Sequence, residues 1–178
     1  MRNRPARVAR AIAVACATAI VATAQVQAQS SSPTGVGRPS ESRSWLSLSA
    51  GPAAVNGEGH AGVTLAFWAT HNDYAFSVRA VGASRLFEIG DVADISVLAG
   101  LHTLRARHAD GVVAAGVGWS SGHRSATDEA FHEPVLVGSA QLNFNYVVVG
   151  IGVDGFVGVG QSTRYYGVGL ALALGAFE

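Results

Sequence analysis

Cysteine is almost missing from this chain of 178 residues. The single one, Cys16, lies inside an apolar run over residues 11–24. A lipid-anchor signal would put it at the end of that run, with a large aliphatic residue three positions before it, where this chain has Ala13. If the leader is cut after Ala28, the mature chain keeps no thiol, which excludes disulfides and cysteine nucleophiles. Charge is also scarce, at 13% of residues, about half the globular average. Lys plus Arg and Asp plus Glu both number 12. Four of the arginines sit in the leader, so the remainder is mildly acidic and offers no basic patch for nucleic acid. Aromatics make up 8%. No long apolar run follows the leader. Glycine, by contrast, is abundant at 22 residues.

The leader itself is legible. Arg2, Arg4, Arg7 and Arg10 form a basic start, the apolar run follows, and Val26-Gln27-Ala28 offers small residues at the two positions a signal peptidase reads. A membrane anchor would need roughly 20 apolar residues, more than this run supplies. The expectation is a cleaved signal over residues 1–28, a Ser-, Pro- and Gly-rich disordered lead-in over 29–43, and one domain over 44–178.

Period decides the class of that domain. Val63, Leu65 and Phe67 alternate with Gly62, Thr64 and Ala66, and Val168, Leu170, Leu172 and Leu174 alternate with Gly169, Ala171, Ala173 and Gly175. A spacing of two puts each set on one face of a strand and would smear it around a helix. Glycines this frequent would also cost a helix about 1 kcal/mol each. Eight segments carry the pattern, near 45–51, 61–69, 74–83, 94–103, 112–120, 135–143, 146–157 and 165–176. One face of each is large and apolar. The other is small or polar and holds the charges. That is the inverse of a soluble barrel: bulky residues suit lipid, and glycine and alanine suit the narrow interior of eight strands.

The connections point the same way. Short turns are expected at His71-Asn72, Asp110-Gly111 and Phe144-Asn145, and longer loops near 53–60, 84–93, 121–134 and 158–164. Strict alternation of short and long, beginning with long, would gather the longer loops on the outer side if the N-terminus is periplasmic.

On this pattern the chain resembles the small eight-stranded outer-membrane β-barrel proteins of Gram-negative bacteria, porin-like or opacity-type. The resemblance implies an all-β fold, an eight-stranded antiparallel up-and-down transmembrane β-barrel. It also implies an outer-membrane location, contact with outer-membrane lipid, assembly by the barrel-assembly machinery, and a use in adhesion, envelope integrity, resistance or lipid modification; for this chain the expectation is a structural or surface-interaction role without catalysis or a cofactor. It leaves the oligomeric state open. One departure stands out: the final aromatic that the assembly machinery reads is here Phe177, followed by Glu178 and out of step with the large face.

Several residues carry candidate chemistry. Arg79, Asp94, His102 and Asp154 share the interior by parity. They suggest either an ion path or a buried network that plugs the lumen, and the narrowness of eight strands favours the plug. His123 and Ser125, in the expected third long loop, have the two-residue spacing of barrel deacylases, but that family's flanking asparagine is missing. His123, Glu129, His132 and Glu133 fit no fixed metal spacing. The glycines from Gly150 to Gly160 lie within an alternating strand with no helix after it, which excludes a phosphate loop. Two other functions compete: a soluble periplasmic barrel binding a hydrophobic ligand, with its apolar faces inward, and a lipid-modifying outer-membrane hydrolase using Ser125.

Overall fold

The computed structural model describes residues 42–84, 92–124 and 129–176. It contains eight strands: β1 (Ser42–Val55), β2 (Glu58–His71), β3 (Tyr74–Ser84), β4 (Val92–Ala106), β5 (Ala109–Arg124), β6 (Glu129–Tyr146), β7 (Val149–Val159) and β8 (Arg164–Ala176). Each pairs antiparallel with its neighbours in sequence, and β8 closes on β1, giving a closed barrel. The fold expected from the alternation is the one observed. At 11 to 18 residues, every strand meets or exceeds the ~9–11 residues that a tilted strand needs to cross a bilayer.

The expected connections need correction. All three turns at one end have two residues: Asn72-Asp73, Arg107-His108 and Val147-Val148. Two of the dipeptides read as turns, Asp110-Gly111 and Phe144-Asn145, are strand instead. At the other end the connections are 56–57, 85–91, 125–128 and 160–163, so the strict alternation fails at once. The expected first long loop, 53–60, is a tight hairpin on Asn56 (φ 50°) and Gly57 (φ 91°), the left-handed pair that an Asn-Gly turn requires. Most of the expected loop over 121–134 is also strand, because β5 and β6 continue past their neighbours. Register between β6 and β7 ends at Leu136 with Val159. Pro134 lies beyond that point, where a missing N–H costs the ladder least. The end with three two-residue turns is called basal below, and the opposite end distal.

Orientation follows the sequence pattern. Leu170, Leu172 and Leu174 face outward, Leu170 at 75% exposure, as do Leu46, Leu65, Phe76, Ile95, Val117, Leu136 and Ile151. Arg79, Asp94 and Asp154 face inward at 3% exposure or less. Thus, between its two ends, the barrel hides its charges and displays its hydrocarbon. In water that arrangement would forfeit roughly 25 cal/mol for each Å² of apolar surface left exposed. In a bilayer it costs nothing. It also removes the structural basis for the soluble carrier, whose apolar faces would have to line the interior.

The leader 1–28, lead-in residues 29–41, Ser125 and Phe177 lie outside the described residues. Ser42 and Arg43, expected in the lead-in, instead open β1.

Candidate functional site: the barrel lumen

The lumen is filled in layers. At the basal end Asp110 of β5 gathers side chains from three other strands. Arg43 Nη1 of β1 donates to Asp110 Oδ1 at 2.9 Å, His102 Nε2 of β4 lies 2.8 Å from the same oxygen, and Asn145 Nδ2 of β6 donates to Oδ2. β1 and β5 lie on opposite sides of the closed barrel, so the Arg43–Asp110 pair bridges its interior. Just outside, Arg105 is ion-paired with Asp73 of the β2–β3 turn.

Above this base lies an apolar layer. Trp45 and Trp68 stack with centroids 6.2 Å apart, beside Leu98, Val112, Val135 and Val137. One polar bridge crosses it: Gln141 Nε2 donates to Ser47 Oγ at 2.9 Å and to Asn143 Oδ1 at 3.0 Å.

The middle layer carries the inward charges foreseen in the sequence. Arg79 Nη2 stands 3.8 Å from Asp94 Oδ1, while its Nη1 donates to the Gly138 carbonyl at 3.2 Å. The guanidinium also sits 6.0 Å from the centre of the Phe156 ring, within cation–π range. Asp154 accepts from Ser49 Oγ at 2.9 Å and from Ser139 Oγ at 3.3 Å. His102 does not join Asp154; its partner is Asp110, two layers away.

A second apolar layer closes the distal end. It contains Val55, Val81, Val92, Phe131, Phe156 and Tyr165. The Tyr165 ring lies over Gly158 and the Phe156 ring over Gly167, each the other's cross-strand partner on β7 and β8. No side chain fits at either glycine without displacing the ring. Gly158 and Gly167 are therefore seats for these two rings. At the mouth, Glu133 accepts from the Ser162 backbone N–H at 3.0 Å and the Ser162 hydroxyl at 2.8 Å, fastening the 160–163 connection.

The other candidates disperse. His123 is exposed at the end of β5, not in a loop, and its expected partner Ser125 lies outside the described residues. His132 faces outward while Glu133 faces inward, so the strand's own period separates two of the four suggested metal ligands. Among the described residues no group of three His, Cys, Asp or Glu side chains is placed to hold a metal. A Ser–His contact does exist elsewhere, Ser42 Oγ to His71 Nδ1 at 2.9 Å on the exposed basal rim. Asp73, two residues from His71, is engaged by Arg105.

Sequence reasoning missed Asp110 and Arg43. Asp110 precedes a glycine and so looked like a turn. Arg43 stands in a Ser-rich stretch that looked unstructured. The parity of Asp110 with Val112 and Ala114 was the available signal.

The closed eight-stranded barrel has counterparts among solved structures. Ail, the attachment invasion locus protein of Yersinia pestis, superposes with a TM-score of 0.51 at 18% identity, over 78% of this chain and 99% of that one. Neisserial surface protein A gives a TM-score of 0.50 at 10% identity, over 77% and 99%. Ail in complex with the heparin analogue sucrose octasulfate gives 0.50 at 17% identity, over 78% and 99%. The fold is that of the small eight-stranded outer-membrane β-barrels of Gram-negative bacteria. At these identities the likeness concerns the fold alone. No protein-family model matches the sequence, and no curated protein matches it. This barrel spans nearly the full length of its structural neighbours, so its strands correspond to a complete barrel of that class.

Proposed function

We propose that this protein is an outer-membrane barrel with a structural or surface-interaction role, closed to solutes and without catalysis. The observation that carries the reading is the inverted packing, with Leu170 and its neighbours outward and Arg79, Asp94 and Asp154 inward. A sheet so arranged is at home only where hydrocarbon surrounds it. The layered lumen supports a plug in place of a pore, since the apolar clusters around Trp45–Trp68 and Phe156–Tyr165 lie on either side of the charged layer.

The leader over 1–28 would carry the chain across the inner membrane, and the barrel-assembly machinery would insert it. With a periplasmic N-terminus, the basal turns face the periplasm, and the 56–57, 85–91, 125–128 and 160–163 connections face outside. Any partner then meets the distal rim. The name of Ail as an attachment and invasion protein, and its complex with a heparin analogue, favour a surface-interaction role over a purely mechanical one.

Fractionation tests this reading. Recovery with detergent-extracted outer membranes, with a gel mobility that shifts on heating, is the expected result. Release with periplasmic contents would refute it.

A further inference from the structure

We propose that a water molecule is held inside the barrel between Arg79, Asp94, Ser120 and Tyr165, bridging the Arg79–Asp94 pair. These side chains come from β3, β4, β5 and β8, and each is at most 1% exposed. Asp94 and Ser120 are direct cross-strand partners that both point inward. The Tyr165 hydroxyl faces both Asp94 and Arg79.

Despite that proximity, the polar atoms do not satisfy one another. Arg79 Nη2 and Nε, Asp94 Oδ2 and Ser120 Oγ make no hydrogen bond within the protein, and the Tyr165 hydroxyl, though in reach of Asp94 and Arg79, meets neither with good geometry. The Arg79–Asp94 separation of 3.8 Å is too long for a direct hydrogen bond and suits a single bridging water. Leaving buried polar groups unmatched costs about 1–3 kcal/mol each, and one small occupant relieves several of them together.

The chemistry of the site selects that occupant. At the site itself Arg79 faces Asp94, while Asp154 of the same layer is held by the Ser49 and Ser139 hydroxyls, so a guest here meets one charge of each sign. The inward atoms comprise donors (the guanidinium N–H and the tyrosine O–H) and acceptors (Asp94 Oδ2 and Ser120 Oγ). A molecule that accepts twice and donates twice matches all four, and buried waters make about three such bonds on average. Gly118 borders the site: a Cβ there would come within 2.7 Å of Asp94 Oδ2, so the missing side chain gives the carboxylate its room. Apolar residues lie on both sides, Val92 and Phe156 distally and Leu98 basally, which would make exchange with bulk water slow.

This inference deepens the plugged-lumen reading and stands apart from the membrane test, since a barrel released with periplasmic contents could still hold the water. Its test is a crystal structure of the intact refolded barrel at a resolution that shows single waters. The expected result is a density peak within hydrogen-bond distance of Arg79 Nη2, Asp94 Oδ2 and at least one of the two hydroxyls. Absence of such a peak, with or without a direct Arg79–Asp94 hydrogen bond, overturns the proposal.

Discussion

Arg43 on the first strand and Asp110 on the fifth meet across the base of the barrel, Nη1 to Oδ1 at 2.9 Å. Asp110 is fully buried and also bonded to His102 and Asn145. Removing the carboxylate therefore strips several buried donors of one acceptor. We expect Asp110→Ala to cost about 3–5 kcal/mol, the range for breaking a buried pair from one side. Arg43→Met should cost less, about 1–3 kcal/mol, because rim water reaches Arg43 and two donors stay on the carboxylate. Urea unfolding of the refolded barrel, followed by tryptophan fluorescence, checks the order. Equal midpoints for the two variants would contradict it.

Arg79 and Asp94 form the second charged contact, and here both partners are sealed from solvent. Arg79→Met alone leaves a buried carboxylate without its counter-charge and should destabilise by about 3–5 kcal/mol. Arg79→Met with Asp94→Leu removes both charges of the pair and should recover part of that loss, the remainder reflecting buried Asp154, which also interacts with Arg79. The measurement is a double-mutant cycle on unfolding free energy. Additive losses would show that the two residues do not act as a pair.

Val147 opens the β6–β7 turn at φ 57°, a left-handed conformation that a β-branched residue adopts only under strain. Val147→Asn keeps the turn and relieves the strain, so the barrel should gain about 0.5–1 kcal/mol. A higher unfolding midpoint in urea, with unchanged gel mobility, is the expected outcome. A lower midpoint would mean that the exposed Val147 side chain contributes more outside the barrel than its backbone costs.

Leu170 sits near the middle of β8 on the outer face. An arginine there would lie at mid-membrane, where it costs about 2–4 kcal/mol. Leu170→Arg should therefore lower the yield of folded barrel in lipid vesicles, while Gln161→Arg at the distal rim, an exposed position, should not. Equal folding of the two would argue against lipid around β8.

The period of two made the fold and its orientation legible, because each strand separates one environment from another residue by residue. Leu170, Leu172 and Leu174 against Ala171 and Ala173 state the answer by themselves. Strand ends were harder. Where β5 and β6 run past their neighbours their residues turn polar, and polarity looks like a loop. Asn56-Gly57 was a hairpin hidden among other small residues, while Asp110-Gly111 imitated one within a strand. The lumen was half visible: parity joined Arg79 to Asp94 correctly, since they lie on adjacent strands. Parity alone could not say that Arg43 reaches four strands around the barrel, or that His102 turns to Asp110 and not to Asp154. Those contacts depend on closure and on height along the axis, which no local pattern encodes.

The central claim is which face of β8 meets lipid. Spin labels attached to single cysteines at positions 170 to 174, in vesicle-reconstituted barrel with Cys16 replaced, test it through collision rates with oxygen and with a water-soluble nickel chelate. High oxygen and low nickel accessibility at 170, 172 and 174, falling sharply at 171 and 173, is the result this account predicts. Lipid contact at 171 and 173, with 170, 172 and 174 shielded, would contradict it.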